Sequence, residues 1–88
     1  MAKAFSLNIT APDKTIFEGK ITSLVVPSAL GYLGVLADHA PLMANLVSGK
    51  IIFRDESGKA QTLNSAGEGI IEVLKNNVSV LLHQGQLF

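Results

Sequence analysis

The sequence predicts an all-β fold: a small antiparallel β-sandwich, or flattened barrel, of roughly eight to ten short strands. Three observations carry that expectation. Apolar and polar residues alternate with period two near both ends of the chain, as in Phe5-Ser6-Leu7-Asn8-Ile9 and Val78-Ser79-Val80. No stretch of ten or more residues shows the 3.6-residue period of an amphipathic helix. Turn-forming Gly, Pro, Asn and Asp recur at roughly the 8–12 residue spacing of a strand-and-turn protein.

The first strand covers Phe5 to Ile9, and Ala11-Pro12-Asp13 breaks it. Gly19 marks a further turn. Lys20 to Val26 is rich in β-branched residues, suits a strand, and is ended by Pro27. Leu33 to Leu36 and Pro41 to Val47 are short apolar pieces, bracketed by Gly31, Gly34 and Gly49. Between them, Pro41 fixes its own φ and pushes Ala40 toward an extended conformation, so Asp38-His39 occupies a corner between strands. Lys50 to Arg54 and Ala60 to Asn64 flank a polar loop whose Gly58 supplies the positive φ of a hairpin. Gly69 to Lys75 and Val78 to Leu82 flank Asn76-Asn77, a pair suited to a type I′ turn. In the last strand Val78, Val80 and Leu82 face one way, with Ser79 and Leu81 facing the other.

At 88 residues the chain is expected to form a single domain over 1–88 with one small core. Its hydrophobic fraction of 48% against 16% charged residues is too apolar for a disordered segment, and points to apolar surface that a partner covers. Seven basic residues balance seven acidic ones and are scattered, which argues against nucleic acid, whose binding needs clustered Lys and Arg. There is no cysteine, hence neither a disulfide framework nor a thiolate metal site. The N-terminus lacks the apolar run of a signal peptide, and no segment approaches the roughly 20 apolar residues of a membrane span.

Few residues point to chemistry. Asp38 and His39 are adjacent on extended backbone and so project to opposite faces, which disfavours a catalytic dyad. Ser28, Ser48 and Ser65 occupy turn positions rather than a nucleophile elbow. His39 and His83 lack a spaced third ligand for a metal. Gly31-x-x-Gly34 and Ser48-Gly49-Lys50 lack the full glycine spacing of a phosphate loop and lead into no helix. Lys14, near a tight turn of a small all-β domain, suggests a second reading: a biotinyl- or lipoyl-type carrier domain with Lys14 as attachment site. Against it, Lys14 lies near the N-terminus and no matching half-repeat precedes it.

The most specific stretch is GYLGVLADHAPLMANLVSGKI, which closely resembles the epsilon subunit of the F-type ATP synthase. Members of that family carry a Gly-x-x-Gly-Ile/Val turn, a Gly-His-Ala-Pro-Leu run and a glycine opening the next strand. Here Gly31, Gly34, Val35, His39, Ala40, Pro41, Leu42 and Gly49 stand in that order. Phe17-x-Gly19 and Ser65-Ala66-Gly67, leading into GIIEVLKNNVSVL, agree as well. The resemblance spans nearly the whole chain.

It implies a β-sandwich and a non-catalytic role in the rotor, joining the gamma subunit to the polar loops of the membrane-embedded c-ring. On this basis Ala11, His39 and Ala44 are expected on the gamma-facing side, and Gly31, Tyr32 and Leu33 at the end that meets the c-ring. No cofactor, metal or nucleotide is expected. The expected location is peripheral, on the cytoplasmic face of a bacterial inner membrane or the stromal face of a thylakoid. Two departures stand out: Tyr32 replaces a frequent acidic residue, and Asp38 replaces a glycine. Most relatives continue into two C-terminal helices that this sequence lacks; a natural end at Phe88 and a truncation there are both compatible with the sequence, and its start at Met1 favours the naturally short form.

Overall fold

The computed structural model describes residues 3–83 and 85–87, and Phe88, on which the expectation of a natural end rests, lies outside them. Among the described residues there are nine strands and no helix. They are β1 (Phe5–Ala11), β2 (Lys14–Ser28), β3 (Gly31–Val35), β4 (His39–Leu46), β5 (Gly49–Asp55), β6 (Ala60–Ser65), β7 (Gly69–Lys75), β8 (Asn77–Leu82) and β9 (Gly85–Leu87). The all-β sandwich expected from the sequence is what the chain forms.

Strand β2, at 15 residues, belongs to both layers. Its first half pairs with β1, its second half with β3 and β5, and Ser28 bridges to Leu46 of β4. Two irregularities let it turn the corner. Ile16 is an extra residue opposite the Ile9/Thr10 step of β1, and Thr22 is extra opposite the Arg54/Asp55 step of β5. An extra residue bends the strand and increases its twist, the usual way for one strand to serve two sheets. One layer therefore comprises β4, β7, β8, β1 and the start of β2, and the other the end of β2 with β3, β5, β6 and β9.

The core lies between the layers. Phe5, Leu7 and Ile9 of β1 and Val78, Val80 and Leu82 of β8 meet Leu24 and Val26 of β2, Ile51 and Phe53 of β5 and Leu63 of β6, all essentially inaccessible to water. This is the alternation read from the sequence, and each such side chain stabilises the fold by about 1.5–3 kcal/mol relative to exposure. The Phe17 and Phe53 rings pack against each other, 4.4 Å between centroids.

Four expectations about local structure need correction. Gly19 is not a turn: it lies inside β2 opposite Leu7, and the Phe17 ring occupies the space where a side chain would project. Pro27 does not end its strand. Pairing with β5 stops at Val25, so nothing requires the N–H that proline lacks, while the Pro27 carbonyl accepts from the Val47 N–H at 2.9 Å. The pairing is not antiparallel throughout, because β1 and β8 run parallel. β1 is already bonded to β2 on one edge, and β8 covers the other, closing the ring β1-β8-β7-β4-β2. Finally, the β7–β8 turn sits one residue earlier than expected. Leu74 pairs with Asn77, and Lys75, not an asparagine, takes the positive φ of 55°.

Asn76 is freed by that shift for a different task. Its side-chain oxygen accepts from the Asp38 N–H at 2.7 Å, and its side-chain nitrogen donates to Asp38 Oδ1 at 2.9 Å. Lys3 Nζ donates to both Asp38 oxygens, at 3.1 and 3.0 Å. Asp38 has φ of 64°, a conformation glycine adopts without cost, so these bonds hold a non-glycine residue at the corner before β4. The Asn76 and then the Lys3 hydrogen bond keep the Asp38 carboxyl below its ordinary value of 3.8. A group depressed in the folded state contributes stability that is complete above its unfolded pKa and is lost as the pH falls through the folded one. Unfolding midpoints in urea should therefore drop on acidification below pH 3.8, and Asp38→Asn should flatten part of that drop.

Gly49 opens β5 with φ of 155°, and a Cβ there would lie 2.8 Å from Pro27 Cβ and 3.3 Å from the Tyr32 hydroxyl. Gly34 has open space above it. Gly49→Ala should cost about 1–3 kcal/mol in denaturant unfolding. Gly34→Ala should be close to neutral in the same measurement.

Candidate functional site

Two surfaces stand out, and neither has the enclosed polar geometry of a catalytic centre. The first is the outer face of the layer containing β4, β7 and β8. Strands half-exposed to water normally alternate apolar-in and polar-out, but here Leu42-Met43, Ile70-Ile71 and Leu81-Leu82 put apolar residues on both sides. The inner member of each pair packs in or against the core. The outer member is left to solvent: Met43 is 67% exposed and Leu81 51%, with Ile70 and Leu74 beside them. Met43, Ile70, Glu72, Ser79 and Leu81 line a shallow depression of about 240 Å³.

The residues expected on a gamma-facing side all lie in this layer but do not form one patch. Ala11 ends β1 opposite Lys14 and is 9% exposed, part of the core. Ala44 pairs with Ile71 and packs against the core from the inside. His39 opens β4, half-buried, and its Nδ1–H donates to the Ala40 carbonyl at 2.7 Å. Between His39 and Leu42, Ala40-Pro41 adds an extra residue to β4 opposite β7, a bulge in which the missing N–H of Pro41 is tolerated. His83 follows β8 at the opposite end of this ladder, where its backbone N–H donates to the Glu68 carbonyl at 3.1 Å, so the two histidines share no site. Asp38 is engaged by Lys3 and Asn76 rather than by His39. Among the described residues, no group of three potential metal ligands comes together.

The second surface is the tip formed by the β2–β3 and β4–β5 turns. Ser28 and Gly31 close the β2–β3 turn, with Ser28 Oγ–H donating to the Gly31 carbonyl and accepting from the Leu30 N–H at 3.3 Å. Gly31 holds φ of 121°, which only glycine adopts readily. Tyr32, 66% exposed, pairs with Pro27 and lays its hydroxyl over Gly49. Leu33 points the other way and packs against the core. The residue that sequence reasoning missed is Leu30, at the apex of the turn and 101% exposed. Val47 stands exposed on the neighbouring turn, linked to the tip through its bond to Pro27. A signal was available: the β2–β3 turn consists of Ala29 and Leu30, with no charged or amide side chain, a composition unusual for an exposed turn.

Comparison with known proteins adds to this geometry. Residues 4–86 match the family model for the ATP synthase Delta/Epsilon chain beta-sandwich domain. The chain is 37% identical over 86 residues to the ATP synthase epsilon chain of Leptospira borgpetersenii, spanning 66% of that protein's length. It is 39% identical over 82 residues to the ATP synthase epsilon chain of Chlorobaculum tepidum, where it covers 92% of the relative. Among solved structures, a chain of the Euglena gracilis mitochondrial ATP synthase OSCP/F1/c-ring assembly superposes with a TM-score of 0.87 at 21% identity, over 99% of this chain and 56% of that one. A chain of the Tetrahymena thermophila central stalk/c-ring gives 0.77 at 10% identity, over 97% of this chain and 67% of that one. With the sandwich, the His-Ala-Pro-Leu corner and the glycine-bracketed tip on one chain, these matches place it in the ATP synthase delta/epsilon family, as an epsilon-type β-sandwich.

Proposed function

We propose that the chain is a non-catalytic rotor subunit of an F-type ATP synthase, seated on gamma by the outer face of β4, β7 and β8 and meeting the c-ring through the β2–β3 tip. The observation that carries this reading is the apolar outer face. A sandwich that aligns Met43, Ile70, Leu74 and Leu81 on the solvent side of a rigid layer is built to be covered. His39 stands at one end of that face, at the β4 bulge. Ala11 and Ala44 face the core beneath this layer, so the contact on β4 falls to their outward neighbours such as Met43. The tip lies at the other end of the β4–β7 ladder from His39, so one partner can hold the face while another meets Leu30, Tyr32 and Val47. The mechanical task is transmission: closed hydrogen-bonded strands resist shear, so torque received at one surface is delivered at the other.

The membrane association is peripheral in this reading, on the cytoplasmic face of a bacterial inner membrane or the stromal face of a thylakoid. No helix among the described residues is long and apolar enough to cross a membrane.

Retention of the purified chain on immobilised gamma subunit from the same organism tests the first contact. Leu81→Asn should weaken retention about tenfold, because truncating a central apolar anchor costs more than 1 kcal/mol, while shifting the melting temperature by only a few degrees. A wild-type chain that is not retained would refute the seating on gamma.

The tip contact should rest on apolar area plus one hydroxyl rather than on ion pairs. In vesicles carrying the reconstituted complex, Leu30→Ala combined with Tyr32→Ala should lower ion pumping per ATP hydrolysed. Tyr32→Phe should have little effect, since most of the covered area remains. The loss should be similar at low and high salt, as expected for a contact without charges. Unchanged pumping in the double variant would exclude the tip as the coupling contact.

A further inference from the structure

One row of side chains crosses the outer face of the β4-β7-β8-β1 layer. The strand register places Glu18 of β2 beside Asn8 of β1, Asn8 beside Ser79 of β8, Ser79 beside Glu72 of β7 and Glu72 beside Met43 of β4. The row above it reads Thr10, Leu81, Ile70, Asn45, and the row below reads Lys20, Ser6, Asn77, Leu74. The middle row is thus rich in hydrogen-bond acceptors and is bordered on the β7–β8 side by apolar residues.

Those acceptors lack donors. Asn8 Oδ1 is buried and accepts no hydrogen bond. Glu72 is half-buried between Met43 and Ser79 and makes no ion pair among the described residues. Among the described residues of these three rows the cation is Lys20, on the next row and beyond β1 from Glu72. Two depressions of about 550 and 240 Å³ lie side by side over this face, and Ser79 lines both. An acceptor buried without a donor costs roughly 1–3 kcal/mol, and a half-desolvated carboxylate gains most when a cation meets it away from water.

We propose that the partner seated on this face brings an arginine or lysine that lies across the row, pairing with the Glu72 carboxylate and donating to Asn8 Oδ1 once the Asn8 amide turns over to bring that buried oxygen outward, with apolar partner residues over Met43, Ile70 and Leu81. A group with several donors and no acceptor is what the row calls for, and guanidinium is the best match in geometry. Glu72 and Asn8 lie two strands apart, about 10 Å, a gap that a long side chain lying over Ser79 spans. The inference rests on the proposed seating on gamma and names the chemistry that gamma must present there.

The test is the affinity of the full chain for gamma at low and high salt, with Glu72→Gln, Asn8→Val and, as a control on the distant β5–β6 loop, Glu56→Gln. Glu72→Gln should weaken binding about thirtyfold or more and reduce its salt dependence, as loss of one partner of a covered charge pair does. Asn8→Val should raise the melting temperature of the free chain while lowering affinity, two changes of opposite sign that a purely structural role would not produce. Glu56→Gln should bind like wild type. If wild type binds and Glu72→Gln binds equally well, the cation site is wrong and the seating on gamma stands. If wild type itself does not bind, the seating is wrong and the cation site falls with it.

Discussion

Because β2 must bond to β1 along its first half and to β3 and β5 along its second, the whole sandwich depends on where that strand bends. Its two extra residues, Ile16 and Thr22, set the bend. If either were lost, the register beyond it would slip by one, and every apolar side chain past the slip would change faces. Leu24 and Val26 would turn outward and Val25 inward. The core, the outer face and the tip are thus not independent features. The tip is the free end of β2 after the bend, and the outer face is what β1 carries with it into the other layer.

The outer face follows from the size of the chain as much as from its function. A chain of 88 residues has one thin core, and that core is already filled by single residues from each strand. Additional apolar residues on the same strands have nowhere to go but outward. Charge is arranged to match. Glu18 and Glu72 share the outer face of one layer with Lys20, while Lys50 and Arg54 lie exposed on β5 of the other, so a chain of zero formal net charge still divides its charges unevenly between its two sides. Coverage of one side by a partner would leave the other free.

Much of this was legible in the sequence. Period-two alternation located β1 and β8, β-branched or apolar runs between turn residues located β2 to β7 at least in part, and the absence of a helical period pointed to the class. What local pattern does not encode is where a strand continues through an unfavourable residue. Gly19 and Pro27 were read as interruptions, yet neighbouring strands make both harmless: Phe17 fills the space beside Gly19, and no strand asks for the missing N–H of Pro27. The parallel β1–β8 pair was equally out of reach, since it depends on which edge remains open once the hairpins have formed. For the surfaces, the motif located the tip but not its apex, Leu30. The exposed members of the Leu42-Met43, Ile70-Ile71 and Leu81-Leu82 doublets were visible as breaks in the alternation, but which member of each pair faces out requires the register. Family membership sets aside the carrier reading of Lys14, which stands beside the β1–β2 turn as the first residue of β2.

The parallel contact between β1 and β8 also bears on how the molecule comes to exist. Ser6 must find Asn77, and Ile9 must find Val80, across nearly the full length of the chain. During synthesis the hairpins can form as they emerge, but the ring cannot close until the last of its strands has left the ribosome. Folds dominated by such distant pairings acquire structure on the millisecond-to-second scale rather than in microseconds. Until then β1 and β8 each present an open edge, and the apolar outer face is uncovered beside them. Early capture by a partner that recognises the finished face would shorten that exposure, and its timing would then be set by the same strand pair that closes the barrel.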